Sequence, residues 1–170
     1  MFSLAHQKAK LASVNPRAEI HGQDRKMAVD LKFEVKVSND VLSEFDPSLK
    51  SALYKKGETQ GDLIDEPGHL PALKFPEMGA IKWGKDFAGY NTIIHYGVSG
   101  AQDITMLECQ VDNFRFDCQD GGTVTVSFRV IAHPEPTELG RLCEMIQQEV
   151  EMSLIEPQVE TVQQLFGEAA

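Results

Sequence analysis

A chain of 170 residues, 42% hydrophobic and 25% charged, has the balance of an ordinary globular protein, which excludes general disorder and lets one domain bury roughly 70% of its extended surface without a metal or a disulfide. No apolar run approaches the roughly twenty residues of a membrane helix, and the N-terminal stretch Met1-Phe2-Ser3-Leu4-Ala5-His6-Gln7-Lys8 has no apolar leader core, so no membrane role is expected and the expected location is the cytoplasm. The net charge of −10 is uneven, with ten Lys or Arg against eight Asp or Glu in residues 1–60 and six against eighteen in residues 61–170, which disfavours nonspecific duplex DNA while leaving a locally basic first third.

In chain order, residues 9–21 read as a strand with Ala12, Val14, Ala18 and Ile20 on one phase and Pro16 marking an edge or a bulge. After a turn at Gly22-Gln23-Asp24 comes the cleanest strand. Met27, Val29, Leu31, Phe33, Val35 and Val37 face one way, and Ala28, Asp30, Lys32, Glu34 and Lys36 the other. Signs alternate on that outer face, the mark of a solvated surface with cross-strand ion pairs, for which Arg17 and Glu19 are candidates.

Asp46-Pro47 opens a short helix with Leu49, Ala52 and Leu53 as its buried stripe and Gly57 as its stop, expected to plug one end of the sheet. From Gly57 to Gly79, three prolines and four glycines with little periodicity make a long loop. It reads either as a functional or mobile segment or as an ordered cover anchored by Leu73 and Phe75. Its acidic cluster, Asp62, Asp65 and Glu66, lacks calcium-loop spacing and reads as solvated charge. Strands follow at Ile81-Lys82-Trp83 and from Tyr90 to Val98, with Tyr90, Ile94, Tyr96 and Val98 on one phase.

A long hairpin runs from Ile104 to Ala132 and turns at Asp120-Gly121-Gly122. Its returning arm alternates strictly, Val124, Val126, Phe128 and Val130 against Thr123, Thr125, Ser127 and Arg129. The outgoing arm changes phase: Leu107, Cys109 and Val111 are apolar on one phase, Phe114, Phe116 and Cys118 on the other. A β-bulge at Asp112-Asn113 would keep both halves facing one core and bend the strand. An arm this long, roughly 50 Å if straight, must curve, so the expected class is mainly β (α+β), a curved antiparallel sheet or partly open barrel.

His133-Pro134-Glu135-Pro136 breaks the sheet, and a helix from Thr137 carrying Leu139, Leu142, Cys143, Ile146 and Val150 is expected to pack on it. Residues 1–156 thus form one β-rich domain. Residues 157–170 are a short amphipathic segment that docks either on its own domain or, through Val159, Val162, Leu165 and Phe166, on a partner protein or another copy of the chain, and an oligomer is one expected outcome.

No phosphate-binding glycine pattern, Gly-x-Ser-x-Gly elbow or His-Glu-x-x-His pair is present. Cys109, Cys118 and Cys143 fall on apolar phases without Cys-x-x-Cys spacing and read as buried reduced thiols. A spatial Cys-His pair such as Cys109 with His95 would be the mark of a hydrolase with an unrecognised site, and packing is the expected role of both. No catalytic residue, metal ligand or cofactor is assigned.

Asp120-Gly121-Gly122-Thr123-Val124 with Phe128-Arg129-Val130, Phe114-Arg115-Phe116 and Leu70-Pro71-Ala72-Leu73-Lys74-Phe75-Pro76 resembles a group of small uncharacterised tailed-phage and prophage proteins. The resemblance runs over most of the chain and implies a phage-encoded early protein acting in a host cytoplasm, where recombination and single-strand handling are common settings. It implies no site residues. The expected function is non-enzymatic binding of single-stranded DNA and a partner protein in phage DNA metabolism. Arg17, Arg25, Lys26, Lys32 and Lys36 are the candidate phosphate contacts, and Trp83, Tyr90 and Phe116 the candidate stacking rings. The rival is an acidic protein-interaction module, such as an inhibitor of a host defence system or an assembly component.

Overall fold

The computed structural model of the chain describes residues 1–57, 68–97 and 99–158, with the side chain of His21 excepted. Nine strands appear among them: β1 (Leu4–His21), β2 (Asp24–Ser38), β3 (Tyr54–Lys55), β4 (Ala72–Leu73), β5 (Ile81–Trp83), β6 (Phe87–His95), β7 (Ile104–Gln119), β8 (Thr123–Ala132) and β9 (Glu149–Ile155). Helices α1 (Leu42–Phe45), α2 (Leu49–Leu53) and α3 (Pro136–Glu144) connect them. Six strands close into an antiparallel barrel in the order β7-β6-β9-β1-β2-β8, with β7 and β8 pairing to complete the ring. β5 pairs with the second half of β7, beyond the stretch paired with β6. The expected curved sheet is therefore a closed one.

The inward phase of β2 and β8 is as the alternation predicts. Val29, Leu31, Phe33, Val35, Val124, Val126, Phe128 and Val130 are all buried. Ala28, on the outer phase, is also fully buried. The bulge on β7 is real: Asp112 pairs with Arg129 but Arg115 pairs with Ser127, so one extra residue sits on β7. Asn113 takes up the left-handed conformation at φ 54°, a region that asparagine tolerates better than most residues. Val111 before it and Phe114 and Phe116 after it consequently all face the core.

A second bulge corrects the phase expected for Leu107. Tyr90 pairs with Cys109 and Thr92 with Met106, while Glu108 has φ 53°. The inward residues are therefore Ile104, Met106, Cys109 and Val111, and Leu107 is turned outward, 62% exposed. The alternation of Leu107, Cys109 and Val111 is that of a continuous strand, which a bulge between the first two breaks.

The C-terminal helix is shorter than its pattern. Glu135 caps α3 reciprocally with Glu138, a capping box using a carboxylate in place of a hydroxyl. The helix ends at Glu144, and Gln147 at φ 66° turns the chain back. Leu11 and the 147–148 pair then exchange backbone bonds, Gln147 N donating to Leu11 O at 2.7 Å and Leu11 N to Gln148 O at 3.0 Å. β9 follows and fills the gap between β1 and β6. Val150 is thus a strand residue, because Val150, Met152 and Leu154 also satisfy a period of two and the barrel needs a sixth wall. Cys143 is exposed, not buried as its phase suggested.

At the barrel end the expected helix is joined by α1: Leu53 of α2 is buried and Leu49 packs on the core. Phe45 of α1 packs on Phe116 (4.7 Å between ring centres), Phe114 (5.0 Å) and Phe2 (5.3 Å), while Ala52 of α2 is exposed. The described part of the long loop is an ordered cover: β3 pairs with β4, and Leu70 and Leu73 pack on the core. Phe75 is not an anchor, being 54% exposed. The turn between β7 and β8 holds this cover, since Gly121 N donates to Pro71 O at 2.9 Å and Asp120 accepts from Leu73 N at 3.0 Å. Val98 and the acidic cluster at Asp62, Asp65 and Glu66 lie outside the described residues.

Asn113→Val should destabilise the protein by about 1–2 kcal/mol, since a β-branched residue resists φ near +54°, whereas Asn113→Gly should be close to neutral. Urea unfolding of the three proteins checks this.

Candidate functional site

The outer wall of the barrel carries a ladder of charges. Arg17 Nη1 lies 2.6 Å from Glu19 Oε1, and Arg17 Nε donates to Asp30 Oδ1 at 2.9 Å. Asp30 Oδ2 is 3.4 Å from Arg129 Nη1, and Arg129 grips Asp112 bidentately at 2.8 and 2.7 Å. His133 Nε2 adds a contact to Glu19 Oε2 at 3.0 Å. The bulge that turns Phe114 inward leaves Asp112 outward against Arg129, so charges from β1, β2, β8 and β7 alternate across four strands. The expected cross-strand pairing of Arg17 is present, and the pairing engages the cation with carboxylates. Lys32 lies 3.8 Å from Glu34.

The stacking candidates are corrected by burial. Tyr90 and Phe116 are 1% and 0% exposed, and the Tyr90 hydroxyl donates to Phe2 O at 3.0 Å. Neither ring can present a face to a base. Both belong to the inward phases that hold the core, the role their alternation also fits. Trp83 is half-buried, packed against Phe45 and Phe116, and its indole nitrogen is buried without a partner among the described residues. The partner-docking candidates Val159, Val162, Leu165 and Phe166 lie outside the described residues.

What the chain does expose is the end of the first hairpin. β9 pairs with β1 only from Leu4 to Lys10, and β8 pairs with β2 only from Val29 to Ser38. Beyond these limits residues 15–28 pair only with each other among the described residues, forming a two-stranded arm with both backbone edges open. Ala18 lies opposite Met27 and Ile20 opposite Arg25 on the phase that continues from the core. Instead of being buried, as the alternation suggested, Ala18 is exposed and Ile20 is 77% exposed, and Pro16, read as an edge marker, is exposed beside them. Pro16, Arg17, Ala18, Arg25 and Met27 line a shallow groove of about 500 Å³. Arg25, Lys26 and Lys36 are exposed and form no ion pair among the described residues. The sequence signals that could have located the arm are Pro16 and the charges crowding the turn.

A second cluster was not anticipated. His95 Nδ1 lies 2.9 Å from Asp103 Oδ2 and His95 Nε2 2.8 Å from Ser153 Oγ, the connectivity of a hydrolytic triad. The hydroxyl is covered, however: Ser153 is 6% exposed, its Oγ accepts the His6 backbone N–H at 3.1 Å, and the His6 ring stacks on His95 at 4.1 Å. Glu151 holds His6 at 2.7 Å. In this geometry the group clasps β1, β9 and β6. Cys109 takes no part in it. Its thiol is directed at Met106 O at 3.4 Å, and burial raises the pKa of both Cys109 and Cys118, which keeps them protonated and poorly nucleophilic at neutral pH. Among the described residues no group of three or more His, Cys, Asp or Glu is placed to hold a metal ion, and no helix is long and apolar enough to cross a membrane.

No family model, curated protein or solved structure matches the chain.

Asp112→Ala should cost about 1–2 kcal/mol by removing the bidentate partner of Arg129, which keeps only the 3.4 Å contact to Asp30, and Arg129→Met in the same background should recover part of it; unfolding free energies of the double-mutant cycle measure the coupling. A pH effect follows from three carboxyls held below the usual aspartate range. Asp40 is held by Lys50 and then Ser38, Asp46 by Ser48, and Asp103 by the Tyr96 N–H and then His95. Because the folded pKa values are depressed, this stability is present above about pH 4 and is lost as pH falls below it. Thermal unfolding from pH 7 to pH 2.5 should show it, with the acid loss reduced in Asp103→Asn.

Proposed function

We propose that the protein is a non-enzymatic binding module that docks another protein through the β1–β2 arm. Of the two readings of the sequence, this is the acidic interaction module acting as an assembly component. The carrying observation is Ile20, 77% exposed on a ribbon whose two strand edges are both unpaired among the described residues. An apolar side chain held out on a free β edge fits protein docking by strand addition and side-chain burial, where main-chain bonds supply affinity and alternate side chains supply selectivity.

The single-stranded DNA reading has less support. Two of its three rings are core residues, and Arg17 is already held by Asp30 and Glu19. The groove on the barrel wall near Lys32 and Arg115 is also lined by Glu34 and Asp117, which repel phosphate.

Two measurements test the proposal. A photo-crosslinking amino acid in place of Ile20 should give one discrete protein adduct in cells; the absence of any protein adduct would sink it. A thirty-nucleotide single strand titrated at low salt should show no saturable binding, and a salt-dependent affinity lost on replacing Arg25 and Lys26 would reverse the choice.

A further inference from the structure

An exposed apolar arm needs a receiving surface, and the same molecule carries one that its own arm does not cover. Leu107 is 62% exposed and Ile155 is 44% exposed. They belong to strands on either side of β6, whose Asn91 pairs with Ile155 on one flank and lies opposite the Leu107-Glu108 bulge on the other. Neighbouring strands lie about 4.8 Å apart, so the two side chains stand roughly 10 Å from each other across one row of the outer wall. Between them Asn91 Oδ1 accepts the Glu108 N–H at 3.4 Å. The rim is acidic, with Glu108 and Glu156 both exposed.

This patch exists because of the bulge. In an unbulged β7 the alternation would place Leu107 inward with Cys109; the residue added at Glu108, φ 53°, turns it to the outside. The arm tip has the complementary make-up: Ile20 lies opposite Arg25, Glu19 opposite Lys26, and Arg25 and Lys26 are exposed without ion pairs among the described residues. An apolar knob beside two exposed cations matches a pair of apolar side chains rimmed by two carboxylates.

Contact within one copy is blocked by distance. Leu4 pairs with Leu154, the neighbour of Ile155, whereas Ile20 lies sixteen residues further along β1, about 50 Å of strand if straight. The arm is held to that course by its pairing with β2.

We propose that the occupant of the Leu107–Ile155 patch is the β1–β2 arm of a second copy of this chain. This rests on the reading of the arm as a protein-docking element and names its partner. Because arm and patch are different surfaces, the contact is heterologous. It leaves a free arm at one end of each pair and a free patch at the other, so addition continues until a ring closes or a filament forms.

The full chain is tested with two single variants, Ile20→Asp, which spoils the arm, and Leu107→Asp, which spoils the patch. Both positions are exposed, so folding should be retained, and circular dichroism and unfolding confirm it. Mass photometry and sedimentation at low salt should show assemblies larger than a dimer for the wild type, with each variant alone weakened by about tenfold or more. Mixed in equal amounts, the variants should form a one-to-one dimer and stop there, since only one intact arm and one intact patch remain. Added salt should dissociate the wild-type assembly. A wild type that stays monomeric at about 100 µM, a variant that assembles as the wild type does, or a mixture that gives no dimer would each overturn the proposal. If the wild type is monomeric while the photo-crosslinker at position 20 captures a different protein, the docking reading stands and the second-copy assignment falls. No crosslink of any kind removes both.

Discussion

Strand β7 has to serve three neighbours, and the β-bulges that let it do so are the constraint on which the rest of the molecule depends. Its first half pairs with β6, its second half with β5, and the stretch from Gln110 onward with β8 on the other side. A strand with strict alternation could not keep Ile104, Met106, Cys109, Val111, Phe114 and Phe116 all inside. Two left-handed residues, Glu108 and Asn113, each reset the phase by one, and the added coil lets a strand of sixteen residues wrap the barrel. Closure pairs each barrel strand on both sides over part of its length, and the arm is the stretch where β1 and β2 pair only with each other among the described residues.

The same bulges decide what the outside looks like. At Asp112 the reset places a carboxylate against Arg129 and begins the ladder of alternating charges that ends at Glu19 and His133. At Glu108 it turns Leu107 to the surface. On one side of the wall Arg17 and Arg129 are therefore occupied by carboxylates. The other carries an apolar pair in an acidic frame. A formal charge of −10 describes neither face, because the local arrangement of charge governs contacts at distances shorter than a Debye length.

The aromatic residues illustrate how burial sorts candidates that composition cannot. Phe2, Phe45, Phe87, Phe114, Phe116 and Phe128 form one contiguous packing of rings, with edge-to-face contacts such as Phe45 on Phe116 at 4.7 Å. Tyr90 joins it through Phe87 at 6.0 Å and sends its hydroxyl to Phe2 O. Burial pushes the Tyr90 phenol up to about 12, so it remains a donor throughout the neutral range. Rings engaged in this way hold α1 and the N-terminus over the barrel end.

The alternation of Val29 to Val35 and of Val124 to Val130, and the phase break at Asp112-Asn113, were legible because a strand with one buried face writes its period directly into the residue types. The β-rich class, the bent hairpin and its bulge were therefore determined by the sequence alone. The sixth wall was not: Val150, Met152 and Leu154 fit a helical continuation and a strand equally, and only the gap between β1 and β6 selects the strand. Nor was the exposure of Ile20 and Leu107, since periodicity says which side of a strand is apolar but not whether anything lies against that side. That depends on where neighbouring strands end and where an extra residue is inserted, and both are set by closure of the whole barrel.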